Sequence, residues 1–331
     1  MKKILVTGAE GFIGSNIVEL LLKQGYKVRA LILYNSFNSK GWLEDLNKHK
    51  NLELLFGDIR DSENVEKAVK GCDQIVHLAA LISIPYSFFS SNSFFETNVK
   101  GTINILNSAR KNNIEKTIVT STSEVFGTCQ KSPMSELHPL NAQSPYAASK
   151  IAADQLSKSF YASYKLPVVI LRPFNTFGPR QSLRAIIPTI ITQFLNNNKK
   201  IKLGSIDTIR DFNYVKDIAK AYLKVIESNN KKIFGEEYNI GSGTYFKISD
   251  IVNIVSNNLK KKIALKVDKQ RIRPNNSEVL KLIADNNKFK KTFNWNPQFS
   301  SKKQFTIAIN ETIQWYGENL NKFKNYNNYN Y

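Results

Sequence analysis

The chain has 331 residues, 42% hydrophobic and 11% aromatic, enough for one large α/β unit or two lobes sharing a core and too apolar for general disorder. Its two cysteines, Cys72 and Cys129, exclude a disulfide framework and match no metal-ligand spacing, so no metal is expected and a reducing, cytoplasmic setting is. The net charge of +20 is spread over lysine doublets and triplets among asparagines, a solvated surface rather than a nucleic-acid stripe, with a positive field that suits anionic ligands.

MKKILVTG begins a strand at once, its apolar run too short for a signal-peptide core. No stretch reaches the roughly 18 apolar residues of a membrane span, so a soluble chain without membrane partners is expected. FIGSNIVELLLKQG follows as a helix, with Ile13, Ile17, Leu20 and Leu21 on one side and a stop at Gly25. KVRALILY is a second strand, residues 35–51 are polar and irregular, and LELLFGDIRD is a third strand ending at Asp58. A short helix from Ser62 to Lys70, a fourth strand QIVHLAA and a long helix over residues 91–113 come next. KTIVTST is the fifth strand, a helix runs from about Pro145 to Tyr164, and PVVILRP is the sixth strand. Strands alternating with helices predict a doubly wound parallel α/β sheet of Rossmann type, with ligands at the strand carboxyl ends.

Beyond Asn175 the alternation breaks down. Helices are expected at 182–197, Tyr214–Ser228, Ser249–Leu259 and Gln304–Glu318, with short strands at Ile209–Asn213 and YNIGSG and little other sheet. The expected division is a dinucleotide-binding domain over 1–174, to which 209–243 returns, and a smaller α-rich substrate lobe over 175–208 and 244–320. The polar tail 321–331 is expected to be disordered.

Gly8, Gly11 and Gly14 stand between the first strand and the first helix, spaced G-x-x-G-x-x-G. Small residues there let the backbone approach a pyrophosphate, whose charge the helix N-terminus holds. Asp58 either accepts from an adenine amino group or caps the helix after it. The second strand ends Ile32-Leu33-Tyr34-Asn35, with neither the acid that grips a ribose 2′-hydroxyl nor an arginine pair for a 2′-phosphate. NAD is the expected cofactor, with NADP left open.

Tyr146 and Lys150 are one helical turn apart and project from the same helix face. Tyrosine titrates near 10, so its use as a base at neutral pH requires a drop of about three units, roughly 4 kcal/mol. The Lys150 ammonium and an oxidised nicotinamide ring are suited to supply it. Thr122 precedes the pair by a strand-to-loop segment, and Glu124 lies two residues further on.

TGAEGFIG, HLAA, Asn98 in NVKGT, the Thr122 segment, Tyr146-x-x-x-Lys150 and RPFNTFGP together resemble the extended short-chain dehydrogenase/reductase superfamily, in its epimerase/dehydratase branch, over nearly the whole chain. Thr122-Ser123-Glu124 is similar to GDP-mannose 4,6-dehydratases, whereas dTDP-glucose 4,6-dehydratases carry Thr-Asp-Glu. The runs VRALILYNSFNS, QSPYAASKIAAD and RIRPNNSEV look closer to the dehydratases of legionaminic acid pathways, a route to surface polysaccharide.

The resemblance implies a nucleotide-sugar 4,6-dehydratase acting on GDP- or UDP-linked N-acetylglucosamine. Tyr146 would take the 4-hydroxyl proton as hydride leaves C4, Glu124 the C5 proton, and water would leave C6 before the hydride returns there. Ser123 or Glu124 would protonate the departing water. The resemblance places Gly8, Gly11, Phe12, Ile13, Gly14, Asp58, Ile59, Leu78, Ala79, Ala80, Asn98, Tyr146, Lys150 and Pro173 around the cofactor. It places Pro85, Ser87, Asn175, Arg184, Arg210 and Arg273 around the substrate. It also implies a homodimer through a four-helix interface built on residues 91–113 and 145–164. The rival enzymes are a UDP-glucuronate decarboxylase, which needs an arginine aimed at the sugar carboxylate, and a 4-epimerase, which has no use for Glu124. A cofactor-binding regulator or RNA-binding scaffold is the non-enzymatic alternative.

Overall fold

A computed structural model describes residues 2–46, 48–272 and 274–323. Seven parallel strands form the main sheet: β1 (Lys3–Thr7), β2 (Lys27–Leu33), β3 (Leu52–Gly57), β4 (Gln74–His77), β5 (Lys116–Thr120), β6 (Val168–Pro173) and, later in the chain, β10 (Glu237–Ile240). Their spatial order is β10-β6-β5-β4-β1-β2-β3, so the winding reverses between β1 and β4, the crevice where open α/β sheets bind ligands. The strands read as nearly unbroken apolar runs because helices cover both faces.

On one face α1 (Phe12–Lys23) and α8 (Val215–Glu227) bury Ile17, Val18, Leu21, Ile218, Tyr222 and Val225 against Ile4, Val6 and Val169. On the other, α2 (Ser62–Val69), α5 (Gly101–Lys111) and α6 (Pro145–Tyr164) pack Val65, Val69, Ile105, Leu106 and Phe160 against Leu5, Ile75 and Ile170. Leu5 pointing opposite to Ile4 and Val6 is the period-2 alternation of a strand. The expected helix over 91–113 is present in three joined pieces, α4 (Ser91–Phe94), one π-type turn over Phe95–Lys100, and α5. Helix α6 opens as anticipated, with Pro145 in its first turn and the Ser144 hydroxyl accepting the Ala147 N–H at 3.1 Å.

The second half holds more strand than expected. β9 (Ile209–Tyr214) is the middle of a four-stranded sheet with β7 (Asn175–Phe177), β11 (Tyr245–Lys247) and β13 (Lys281–Leu282), and β8 (Lys200–Leu203) pairs with β12 (Ala264–Val267). Strands of two to four residues are too short to show an alternating pattern, and β12 is exposed along its whole length. Helices α7 (Ile186–Leu195), α9 (Ile248–Leu259) and α11 (Lys302–Asn319) close a second apolar core around Phe177, Phe212 and Phe305. Two short helices were not anticipated, α3 (Ile84–Ser87) and α10 (Asn287–Phe293). No helix among the described residues is long and apolar enough to cross a membrane, and no cluster of potential metal ligands occurs among them.

Candidate active site

A cavity of about 1050 Å³ opens at the carboxyl ends of the main strands and extends to the second core. Its floor is the turn between β1 and α1. Gly8 takes φ +63°, where a side chain is disfavoured, and an added Cβ would lie 2.9 Å from the Ala79 backbone. At Gly14 an added Cβ would come within 2.2 Å of the Gly8 carbonyl, so α1 could not start this close to β1. Phe12, Ile13, Asp58, Ile59, Leu78, Ala79, Ala80 and Pro173 all line the cavity.

Thr122, Ser123, Glu124, Tyr146 and Lys150 meet on one wall. Thr122 caps a 3₁₀ turn over Ser123–Phe126, its hydroxyl accepting the Glu124 N–H at 3.2 Å, so the end of β5 delivers Glu124 to the same wall as α6 delivers Tyr146. Phe94 packs edge-on against the Tyr146 ring at 6.1 Å and limits its tilt. The Lys150 ammonium donates to the Thr120 carbonyl at 2.6 Å. Burial lowers Lys150 to about 8, opposed by the Asp154 carboxylate. Burial likewise pushes the Tyr146 phenol upward; the Thr122 hydroxyl pulls it back, while Glu124 and Asp154 add to the rise. The protein alone therefore keeps the phenol protonated.

Behind this wall, Asp154 accepts from Ser121 Oγ at 2.8 Å and from Nε and Nη2 of Arg172 at 3.1 Å each. Both partners of this ion pair are fully buried, and the pair anchors Ser121 directly before Thr122. A second buried network crosses the sheet. Thr7 Oγ1 accepts from the Leu78 and Ala79 N–H groups and bonds His77 Nδ1 at 2.8 Å. His77 Nε2 meets Thr102 Oγ1 at 3.2 Å, which donates to the Asn98 carbonyl. Since Thr7 has already accepted twice, its hydroxyl proton goes to Nδ1 and the imidazole carries its own proton on Nε2. Burial, aided by the Lys150 charge, lowers His77 to about 3 and keeps it neutral.

Asn98 lies within that network rather than on the cavity wall. Its amide clamps the backbone of Leu81 in both directions, at 2.8 and 2.9 Å, and donates to Ser149 Oγ, which in turn donates to the Tyr146 carbonyl at 2.7 Å. Its contact is with the walls of the site, a correction to its expected place at the cofactor. Ser87 is also withdrawn: fully buried, it donates to the Ile84 carbonyl at 2.7 Å, while Ile84, Pro85 and Tyr86 before it line the cavity. Asp58 is gripped by Arg60 through Nε at 2.9 Å and Nη2 at 2.5 Å, and Asp61 is the residue that caps α2. Arg60 holds the Asp58 carboxyl below its usual range.

Asn175, Arg184 and Arg210 line the far end of the cavity. Asn175 Oδ1 is buried without a hydrogen-bond partner among the described residues, and Arg210 lies 3.6 Å from Glu278. Arg273 and the tail beyond Phe323 lie outside the described residues. Sequence reasoning passed over Arg180, which lines the cavity at φ +74° and reaches back to Glu19 on α1 at 2.8 Å. Its position directly after the quoted run RPFNTFGP was the available signal.

The family model described as "GDP-mannose 4,6 dehydratase" matches residues 5–307. A human dTDP-D-glucose 4,6-dehydratase is 31% identical, over 98% of this chain and 92% of its own. Among solved structures, the dTDP-glucose 4,6-dehydratase of Bacillus anthracis in complex with NAD superposes with a TM-score of 0.84 at 29% identity, over 96% of this chain and 97% of that one. The UDP-N-acetylglucosamine 4-epimerase of Methanobrevibacter ruminantium superposes at 0.85 and 33% identity, over 96% and 99% of the two chains. The chain is therefore a member of the GDP-mannose 4,6-dehydratase family, within the epimerase/dehydratase branch of the short-chain dehydrogenase/reductases.

Proposed function

We propose that this protein is a nucleotide-sugar 4,6-dehydratase that converts GDP- or UDP-linked N-acetylglucosamine to its 4-keto-6-deoxy product. The observation that carries it is the carboxylate of Glu124 on the same cavity wall as Tyr146, Thr122 and Lys150. NAD suits the glycine turn: an added Cβ at Gly11 would meet only the Gly8 carbonyl, at 3.3 Å, and the residue lines the cavity, so its missing side chain leaves room for a pyrophosphate.

When bound, a nicotinamide ring supplies the two-electron store needed for oxidation at C4 and reduction at C6. Tyr146 Oη receives the C4 hydroxyl proton while Thr122 Oγ1 hydrogen-bonds the same oxygen. Lys150, charged below pH ~8, stabilises the phenolate that begins the cycle. The C4 ketone acidifies the C5 proton, and Glu124 removes it. The C5–C6 double bond forms as the C6 hydroxyl, protonated by Ser123 or Glu124, leaves as water. Tyr146 gives up its proton to solvent, and Glu124, reprotonated from solvent, delivers a proton to C5 as C6 is reduced.

Asn175, Arg184, Arg210 and Arg273 serve the nucleotide diphosphate, for which guanidinium groups give paired donors. The legionaminic acid pathway is the setting favoured by the runs around Tyr146 and Arg273, and a cytoplasmic homodimer through the 91–113 helix and α6 is consistent with Phe95, on the π-type turn before α5, and Tyr164, at the end of α6, being more than half exposed. The test is incubation with GDP-, UDP- and dTDP-sugars in heavy water. A product lighter by one water with deuterium at C5 supports dehydration. An isomer of unchanged mass marks a 4-epimerase, and carbon dioxide release from a glucuronate marks a decarboxylase; either refutes the proposal.

A further inference from the structure

The second strand carries no acid at its carboxyl end, yet the structure brings one there from the glycine turn. Glu10 stands between Gly8 and Gly11, and its Oε1 accepts the Leu33 N–H at the end of β2, at 2.9 Å. The Glu10 carbonyl accepts the Trp42 N–H at 3.1 Å. Gly41, at φ +55°, presses so closely that an added Cβ would lie 2.9 Å from the Glu10 Cβ. The side chain is thus fixed by β2 on one side and by the segment after it on the other.

The second carboxylate oxygen, Oε2, is buried and has no hydrogen-bond partner among the described residues. Glu10, Leu33, Trp42 and Asp58 line the same end of the cavity. A buried carboxylate oxygen without a donor is costly, and a ligand hydroxyl arriving there satisfies it. A 2′-phosphate arriving there meets a like charge. Arg60, the guanidinium on that wall, is already occupied by both oxygens of Asp58.

We propose that Glu10 is the residue that selects the dinucleotide, accepting a hydrogen bond from the adenosine ribose of NAD and rejecting NADP. This rests on the cavity being a nicotinamide-dinucleotide site. The experiment is calorimetric titration of the nucleotide-free full chain with NAD, NADP and 2′-deoxy-NAD, with and without E10Q. Glutamine keeps the Oε1 acceptor for Leu33 and removes the charge. One charge-assisted hydrogen bond corresponds to about a 10- to 100-fold change in affinity. The unsubstituted chain is expected to bind NAD at least ~100-fold more tightly than NADP and ~10-fold more tightly than 2′-deoxy-NAD. E10Q is expected to narrow the NAD-to-NADP ratio to below ~10-fold, with thermal unfolding confirming that it folds. If E10Q does not fold, the 2′-deoxy-NAD comparison decides alone. An unaltered ratio in folded E10Q, or equal binding of NAD and 2′-deoxy-NAD, overturns the role of Glu10 and leaves the site reading intact. No binding of either dinucleotide overturns both.

Discussion

Replacing Asp154 by asparagine removes the charge that faces Arg172 while nearly conserving volume. Both side chains are 1% exposed, and the guanidinium directs Nε and Nη2 at one carboxylate oxygen, 3.1 Å away in each case. Breaking a buried ion pair by removing one partner typically costs about 3–5 kcal/mol, because the other charge is left uncompensated. The Glu237 carboxylate, 4.0 Å from Arg172 Nη1, offsets part of that loss, which sets the expectation at the lower end, ~3 kcal/mol. An unfolding entropy of roughly 2.1 cal/mol/K per residue gives about 0.7 kcal/mol/K for a chain of this length, so the midpoint should fall by ~4 °C. The double variant D154N/R172M removes the stranded charge and should recover to within about 1 kcal/mol of the parent. Urea unfolding followed by tryptophan fluorescence measures all three proteins. A loss below ~1 kcal/mol for D154N, or a double variant as unstable as the single one, would refute the view that the pair matters through charge compensation.

E124Q should retain nucleotide-sugar and NAD affinity while dehydration falls about 10²- to 10⁴-fold, the usual worth of a general base; turnover at the parental rate in a stopped mass-spectrometric assay would exclude Glu124 from proton abstraction. Lys150, lowered by burial to about 8, is charged below that value and neutral above it, so kcat/KM of the free enzyme should decline above about pH 8. A profile flat to pH 10 would show that its charge is not required.

The long elements were legible because their signals are local. The apolar runs of β1, β5 and β6, and the Ser144-Pro145 start of α6, each specify a strand or a helix from a handful of neighbouring residues. The glycine turn and the Tyr146–Lys150 pair were legible for the same reason, since their spacing is set within one turn or one helix. The strands around β9 were not, because two or three residues such as Lys281–Leu282 become a strand only when Ile209 and Arg210 are alongside. Asn98 was placed at the cofactor by resemblance, and only the tertiary structure shows its amide spent on Leu81 and Ser149. Glu10 reads in sequence as an unremarked spacer between glycines; its meaning depends on the Leu33 N–H, 23 positions away. Asp58 looked like the cap of the helix after it because Asp61, three residues on, offers the same side chain.

The hydroxyls, imidazole and amides that run from Thr7 to Tyr146 make the floor beneath the dinucleotide and the mount of the reacting phenol a single mechanical part. Disturbing one link, at His77 or Ser149 for instance, should shift both at once. A search for altered ligand specificity is therefore steered to residues such as Arg184, which line the cavity outside this network.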